Sequence, residues 1–95
     1  MEFFIFARFH ALEGREQEVM AALTEQVPVT RAETGCFAIA AYRSVRDLRL
    51  FWIHSRWTDE AAFQIHADLP NTIRFVERME ALIGHPFDAT RAAQI

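Results

Sequence analysis

Cys36-Phe37-Ala38-Ile39-Ala40-Ala41-Tyr42-Arg43-Ser44 and Leu50-Phe51-Trp52-Ile53-His54-Ser55-Arg56-Trp57 decide the fold of this chain. Both runs are apolar and carry aromatic residues, and the polar stretch Val45 to Arg49 joins them as a hairpin requires. In the first run Cys36, Ala38, Ala40 and Tyr42 alternate with Phe37, Ile39 and Ala41. In the second, Phe51, Ile53, Ser55 and Trp57 alternate with Leu50, Trp52, His54 and Arg56. An antiparallel sheet with one face in water shows a polar side. Here both sides are largely apolar.

Upstream, residues 2–10 read as another strand, with Phe3, Ile5, Ala7 and Phe9 facing one way and Phe4 and Phe6 the other. Gly14 makes a turn, and residues 15–32 read as a helix that turns Val19, Ala22, Leu23 and Val27 to one side. Pro28 is expected to kink it or end its regular part, and Gly35 to terminate it. Downstream, Thr58 is a suitable N-cap, with Asp59 and Glu60 placing negative charge in the first turn of a helix running to about Asp68. Pro70-Asn71 interrupts it, and Asn71 recaps a helix from Thr72 to Ile83 with Ile73, Val76, Met79 and Ile83 inward. Gly84 stops that helix, and residues 85–92 return as a fourth strand. The order β-α-β-β-α-β predicts one ferredoxin-like α+β domain over residues 1–95, a four-stranded antiparallel sheet with helices on one face. A second copy of the sheet is the natural cover for the other face, which predicts a homodimer.

Composition points the same way. A compact chain of 11.0 kDa buries about 65% of its unfolded surface. Such a thin core has little room for nine Phe, two Trp and one Tyr. The surplus suggests a ligand cavity or a buried subunit interface. The net charge is −3, and the ten basic residues are all Arg, scattered with no stripe to follow a phosphate backbone. Nucleic acid is therefore not expected as a partner. The single cysteine, Cys36, allows no internal disulfide and fits a reducing, cytoplasmic setting. Met1 to Arg8 lacks the marks of a signal peptide, and no apolar run is long enough to span a membrane. His10, His54 and His85 have no partner at metal-ligand spacing, and there is no Gly-rich loop, nucleophile elbow or dinucleotide fingerprint. No metal or other cofactor is expected.

Four residues could carry chemistry. His66 shares a helix face with Phe63 and Ala67. It could act as a base or proton carrier near neutral pH, or it could hold the helix on the sheet through a hydrogen bond. Trp57, at a strand end, could wall a pocket for a planar molecule or simply fill the core. Asn71 could polarise a substrate oxygen or cap a helix, and Tyr42 could donate to a phenolate or point into water.

Arg31-Ala32-Glu33-Thr34-Gly35-Cys36, Tyr42-Arg43, and Trp57-Thr58-Asp59-Glu60-Ala61-Ala62-Phe63 with His66 occur in an order and spacing that resemble the antibiotic-biosynthesis-monooxygenase-like domain of the dimeric α+β barrel superfamily. The departures are Thr34 where that family usually has Pro, Ser55 where it has Glu, and Asn71 where it often has a second His. The resemblance implies cofactor-independent oxygenation of a quinol, anthrone or similar polycyclic phenol. The residues expected to carry it out are His66, Trp57 and Asn71 as catalytic groups and Tyr42, Phe51 and Phe63 against the substrate. A deprotonated dihydroxy-aromatic reduces dioxygen itself, so an apolar pocket, a base and a hydrogen-bond donor suffice. The same fold would also suit a non-catalytic dimeric protein that binds a small aromatic ligand. Haem degradation, a third activity of the family, needs a polar donor that the first strand does not offer.

Overall fold

Period-two alternation puts Phe3, Ile5, Ala7 and Phe9 on one side of β1 (Phe3–His10), and the computed structural model, which describes residues 1–95, closes three helices over that side. The elements that follow are α1 (Glu16–Arg31), β2 (Cys36–Arg43), β3 (Leu50–Trp57), α2 (Glu60–Ala67), α3 (Pro70–Glu80) and β4 (Asp88–Ala92). The four strands form one antiparallel sheet in the order β2-β3-β1-β4. This is the ferredoxin-like α+β arrangement, with the second helical segment split in two at Leu69-Pro70. The core is one cluster, in which Phe9, Phe51, Trp57, Val19 and Met79 are the largest fully buried apolar side chains.

Several local expectations need correction. The N-cap of α2 is Asp59, whose carboxylate accepts from the Ala62 amide at 2.9 Å. Thr58 instead ties the sheet to the preceding turn, its amide donating to the Gly35 carbonyl at 2.9 Å. Asn71 caps nothing: α3 starts at Pro70, in the first-turn position where a missing N–H is harmless, and its N-cap is Leu69. Pro28 does not end α1, which continues to Arg31. In α3 the larger Phe75 takes the inward position against Phe9, with ring centroids 6.1 Å apart, so Thr72, Phe75 and Met79 are buried and Ile73 is turned out.

The alternation in β2 also breaks. A bulge between Cys36 and Ala38 pairs Cys36 with Trp57 on the helix side and sets Phe37 outside, beneath the Arg56 guanidinium. The face away from the helices then carries Phe6, Phe37, Tyr42 and Trp52, exposed by 46%, 52%, 55% and 38%.

The last strand begins at Asp88, because His85 and Pro86 are used to fasten the chain. The His10 amide donates to His85 Nε2 at 2.9 Å, and His85 Nδ1–H donates to the Pro86 carbonyl at 2.7 Å. Phe87 is thereby set edge-on to Phe9, with centroids 5.6 Å apart.

Gly14 and Gly35 both sit at positive φ, +82° and +87°. They differ in surroundings. A Cβ at Gly14 meets nothing, whereas one at Gly35 would lie 2.8 Å from the Ala62 Cβ. Gly14→Ala should cost about 1–2 kcal/mol, the backbone penalty alone. Gly35→Ala should cost more, because α2 must also shift. Urea unfolding of the two variants at one protein concentration checks this, and equal midpoints would contradict the close approach of α2 to the turn.

Candidate functional site

The sheet's inner side chains lie in rows, one from each paired strand. Cys36, Trp57 and Phe3 form the first row, and Ile39, Ser55, Ile5 and Arg91 the second. Ala41, Ile53, Ala7 and Ala89 form the third. Above the middle rows the helices leave a cavity of about 120 Å³. Its roof comes from Gln26 and Thr30 of α1, Phe63 and His66 of α2, and Thr72 and Phe75 of α3, while Phe87 closes one side.

Trp57 is fully buried at one end of this space. Its indole N–H donates to Ser55 Oγ at 2.9 Å, which satisfies the polar edge that a buried Trp brings with it. Ser55, at the position where the resemblance leads one to expect Glu, thus holds the ring in place. The His66 ring lies against the indole with centroids 4.8 Å apart, and Phe63 touches both rings at 5.5 Å.

The residue that sequence reading missed is Glu33. His66 Nδ1–H donates to Glu33 Oε1 at 2.7 Å, with the two side chains only 12% and 16% exposed. Thr72 Oγ1 lies 3.4 Å from the same nitrogen. A carboxylate on Nδ1 fixes the tautomer and leaves the lone pair at Nε2, which no protein group bonds. The other oxygen, Glu33 Oε2, is buried without a partner. Glu33 stands at the end of the turn out of α1, far along the chain from His66, and no spacing rule links the two. Its place just before Gly35, the residue that lets α2 approach, was the available clue.

The expected site residues separate into three places. Trp57, Phe63 and His66 meet at the cavity. Tyr42 and Phe51 line a different groove, about 420 Å³ between α1 and β2, where Arg43 lies 5.2 Å above the Phe51 ring. Asn71 borders a shallow surface hollow with Glu25, Arg74 and Arg78. No group of three His, Cys, Asp or Glu side chains converges as metal ligands would. No helix is long and apolar enough to cross a membrane.

A family model described as antibiotic biosynthesis monooxygenase matches residues 2–78. Among solved structures, Rv0793 from Mycobacterium tuberculosis superposes with a TM-score of 0.93 at 22% identity, covering 100% of this chain and 96% of that one. Protein SO0527 from Shewanella oneidensis gives 0.90 at 26% identity, covering 98% and 90%. A structure described as antibiotic biosynthesis monooxygenase gives 0.90 at 22% identity, covering 98% of both chains. No curated protein matches the chain.

Cys36 reports on the charge of Glu33. Burial pushes its thiol pKa above the ordinary value, and the neighbouring Glu33 carboxylate pushes it further. At pH 8 less thiolate is present than in a free cysteine, so alkylation by iodoacetamide should be slow. Glu33→Gln removes the second cause and should speed labelling. A variant that labels no faster than the parent would show that Glu33 carries no charge beside the thiol.

Proposed function

Because the chain belongs to the antibiotic biosynthesis monooxygenase family, we propose that it is a cofactor-independent monooxygenase of a hydroxylated aromatic, a quinol or related phenol, working as a homodimer in the cytoplasm. The observation that carries the reading is the Glu33–His66 pair beside Trp57 at the wall of an apolar cavity.

The chemistry asks little of the protein. His66 Nε2 takes the proton of a bound hydroxyl, and the Glu33 carboxylate stabilises the imidazolium that forms. Low-dielectric surroundings strengthen that ion pair and raise the energy of an unpaired phenolate, so the electron-rich ring is poised to give up an electron. The phenolate passes one electron to dioxygen, and the resulting pair combines at a ring carbon as a peroxide. Loss of water leaves a new carbonyl. For a quinol the balance is quinol plus dioxygen to hydroxyquinone plus water, with all four electrons supplied by the substrate. Trp57 supplies a flat wall for the ring, and Phe63 lies edge-on beside it. Asn71, Tyr42 and Phe51 stand outside this cavity and take no part in these steps. A tetrapyrrole does not fit in about 120 Å³.

Oxygen uptake on adding a quinol to the purified protein, in the presence of a chelator, tests the reading. His66→Ala should lower the rate by about 10²–10⁴-fold, the usual worth of a positioned base. If the variant turns over at the parent rate and merely melts earlier, His66 is a structural residue. If the parent binds the quinol without consuming oxygen, the ligand-binding reading takes its place.

The apolar outer face, with Phe6, Phe37, Tyr42 and Trp52 exposed, supports pairing of two sheets. Sedimentation at micromolar concentration should show a species near twice 11.0 kDa. A single species at the chain mass would refute the dimer.

A further inference from the structure

Two features of the cavity bear on what it admits. The first is size. About 120 Å³ is close to the ~150 Å³ of an engineered apolar cavity that takes up benzene, and well under the ~300 Å³ at which drug-sized ligands begin to fit. The floor is open mainly because Ala7 and Ala89 are short. The walls are apolar, yet Ser55 and Thr30 each accept one hydrogen bond, from the Trp57 indole and from Gln26, and keep a hydroxyl proton to donate. One aromatic ring bearing oxygen matches this lining. Two fused rings exceed it.

The second feature is how the roof is held. Phe63 and His66 both come from α2, whose side chains are only partly buried where Ala62 and Phe63 meet the core. Arg91 of β4 adds a grip from the sheet. Its Nη1–H donates to Glu60 Oε2 at 2.8 Å, its Nη2–H donates to Gln64 Oε1 at 2.9 Å, and its guanidinium lies 5.1 Å from the centre of the Phe63 ring. Arg91 stands in the same row of the sheet as Ile5 and Ser55, so the grip ties the roof to the floor of the same cavity.

We propose that the cavity is a site for a single-ring phenol, such as a benzenediol, and that Arg91 sets this size limit by holding α2 down. The ligand's chemistry rests on the function proposed above. The proposal narrows that function from quinols and related phenols of any size to those with one ring, and makes Arg91 a specificity-determining residue.

Calorimetric binding under anaerobic conditions separates this proposal from turnover. Hydroquinone should bind the purified protein about tenfold or more tightly than 1,4-dihydroxynaphthalene, the scale on which an apolar pocket rejects excess volume. Arg91→Gln lies at the surface and should fold. It should bring the two affinities within about threefold by improving the bicyclic ligand. Ala7→Val, which fills the floor, should weaken hydroquinone about tenfold. Equal binding of the two diols by the parent would overturn the proposal, and so would an unchanged preference in Arg91→Gln. Should Ala7→Val fail to fold, the Arg91 variant decides alone. A retained one-ring preference without oxygen uptake would sink the oxygenase reading and leave the binding site standing.

Discussion

The tilted contact of the His66 ring with the Trp57 indole is the one on which the rest of the arrangement depends. Trp57 is the last residue of β3, paired with Cys36 on one side and Phe3 on the other, so three strands fix its backbone. Its ring is fixed separately, by the hydrogen bond to Ser55. A large planar group locked in this way gives α2 a surface to lie on, and α2 has few other means of docking. The helix is short, and none of its side chains is fully buried. Aromatic contacts with Trp57, the Asp59 cap and the Arg91 bonds do the work that a buried stripe does for α1. Loss of the indole would therefore cost more than its buried area suggests, since one helix and one wall of the cavity would lose their support.

Much of the fold was legible in the chain because two-residue periodicity survives in β1 and β3 without interruption. Phe51, Ile53, Ser55 and Trp57 all face inward, as their spacing says. The helix α1 was legible for the same reason, with Val19, Ala22, Leu23 and Val27 buried on one stripe. What failed was local. A bulge is a one-residue slip that leaves no mark in composition, and it moved Cys36 and Phe37 to the opposite sides from those expected. In α3 two stripes about 60° apart were both acceptable, and the demand of Phe9 for an aromatic neighbour chose between them.

The candidate site was half legible. Trp57, Phe63 and His66 belong to one short run of sequence, so a strand-to-helix junction brings them together almost unavoidably. Glu33 could not be found by the same logic, because its partnership with His66 is tertiary. The helix α1 has to end where it does, and Gly35 has to turn without a Cβ, before the carboxylate reaches the imidazole. Tyr42 and Phe51 stand apart from the cavity for a simple reason: alternation turns Tyr42, beside Trp52, to the outer face, while Phe51 faces inward at the other end of β3 from Trp57, under Arg43. Asn71 misled because a polar residue after Pro looks like a cap, while the proline itself opened the helix.

The bulge in β2 has one more effect. This strand is an edge of the sheet, and an unprotected edge invites a stray strand to extend the ladder without limit. Here the edge is bent at Phe37, and the Ile39 carbonyl is already occupied by Arg31, which donates to it at 2.8 Å. A foreign strand would meet a crooked template with one acceptor taken. Growth sideways into fibres is disfavoured by this edge, even though the outer face of the same sheet leaves Phe6, Phe37, Tyr42 and Trp52 exposed.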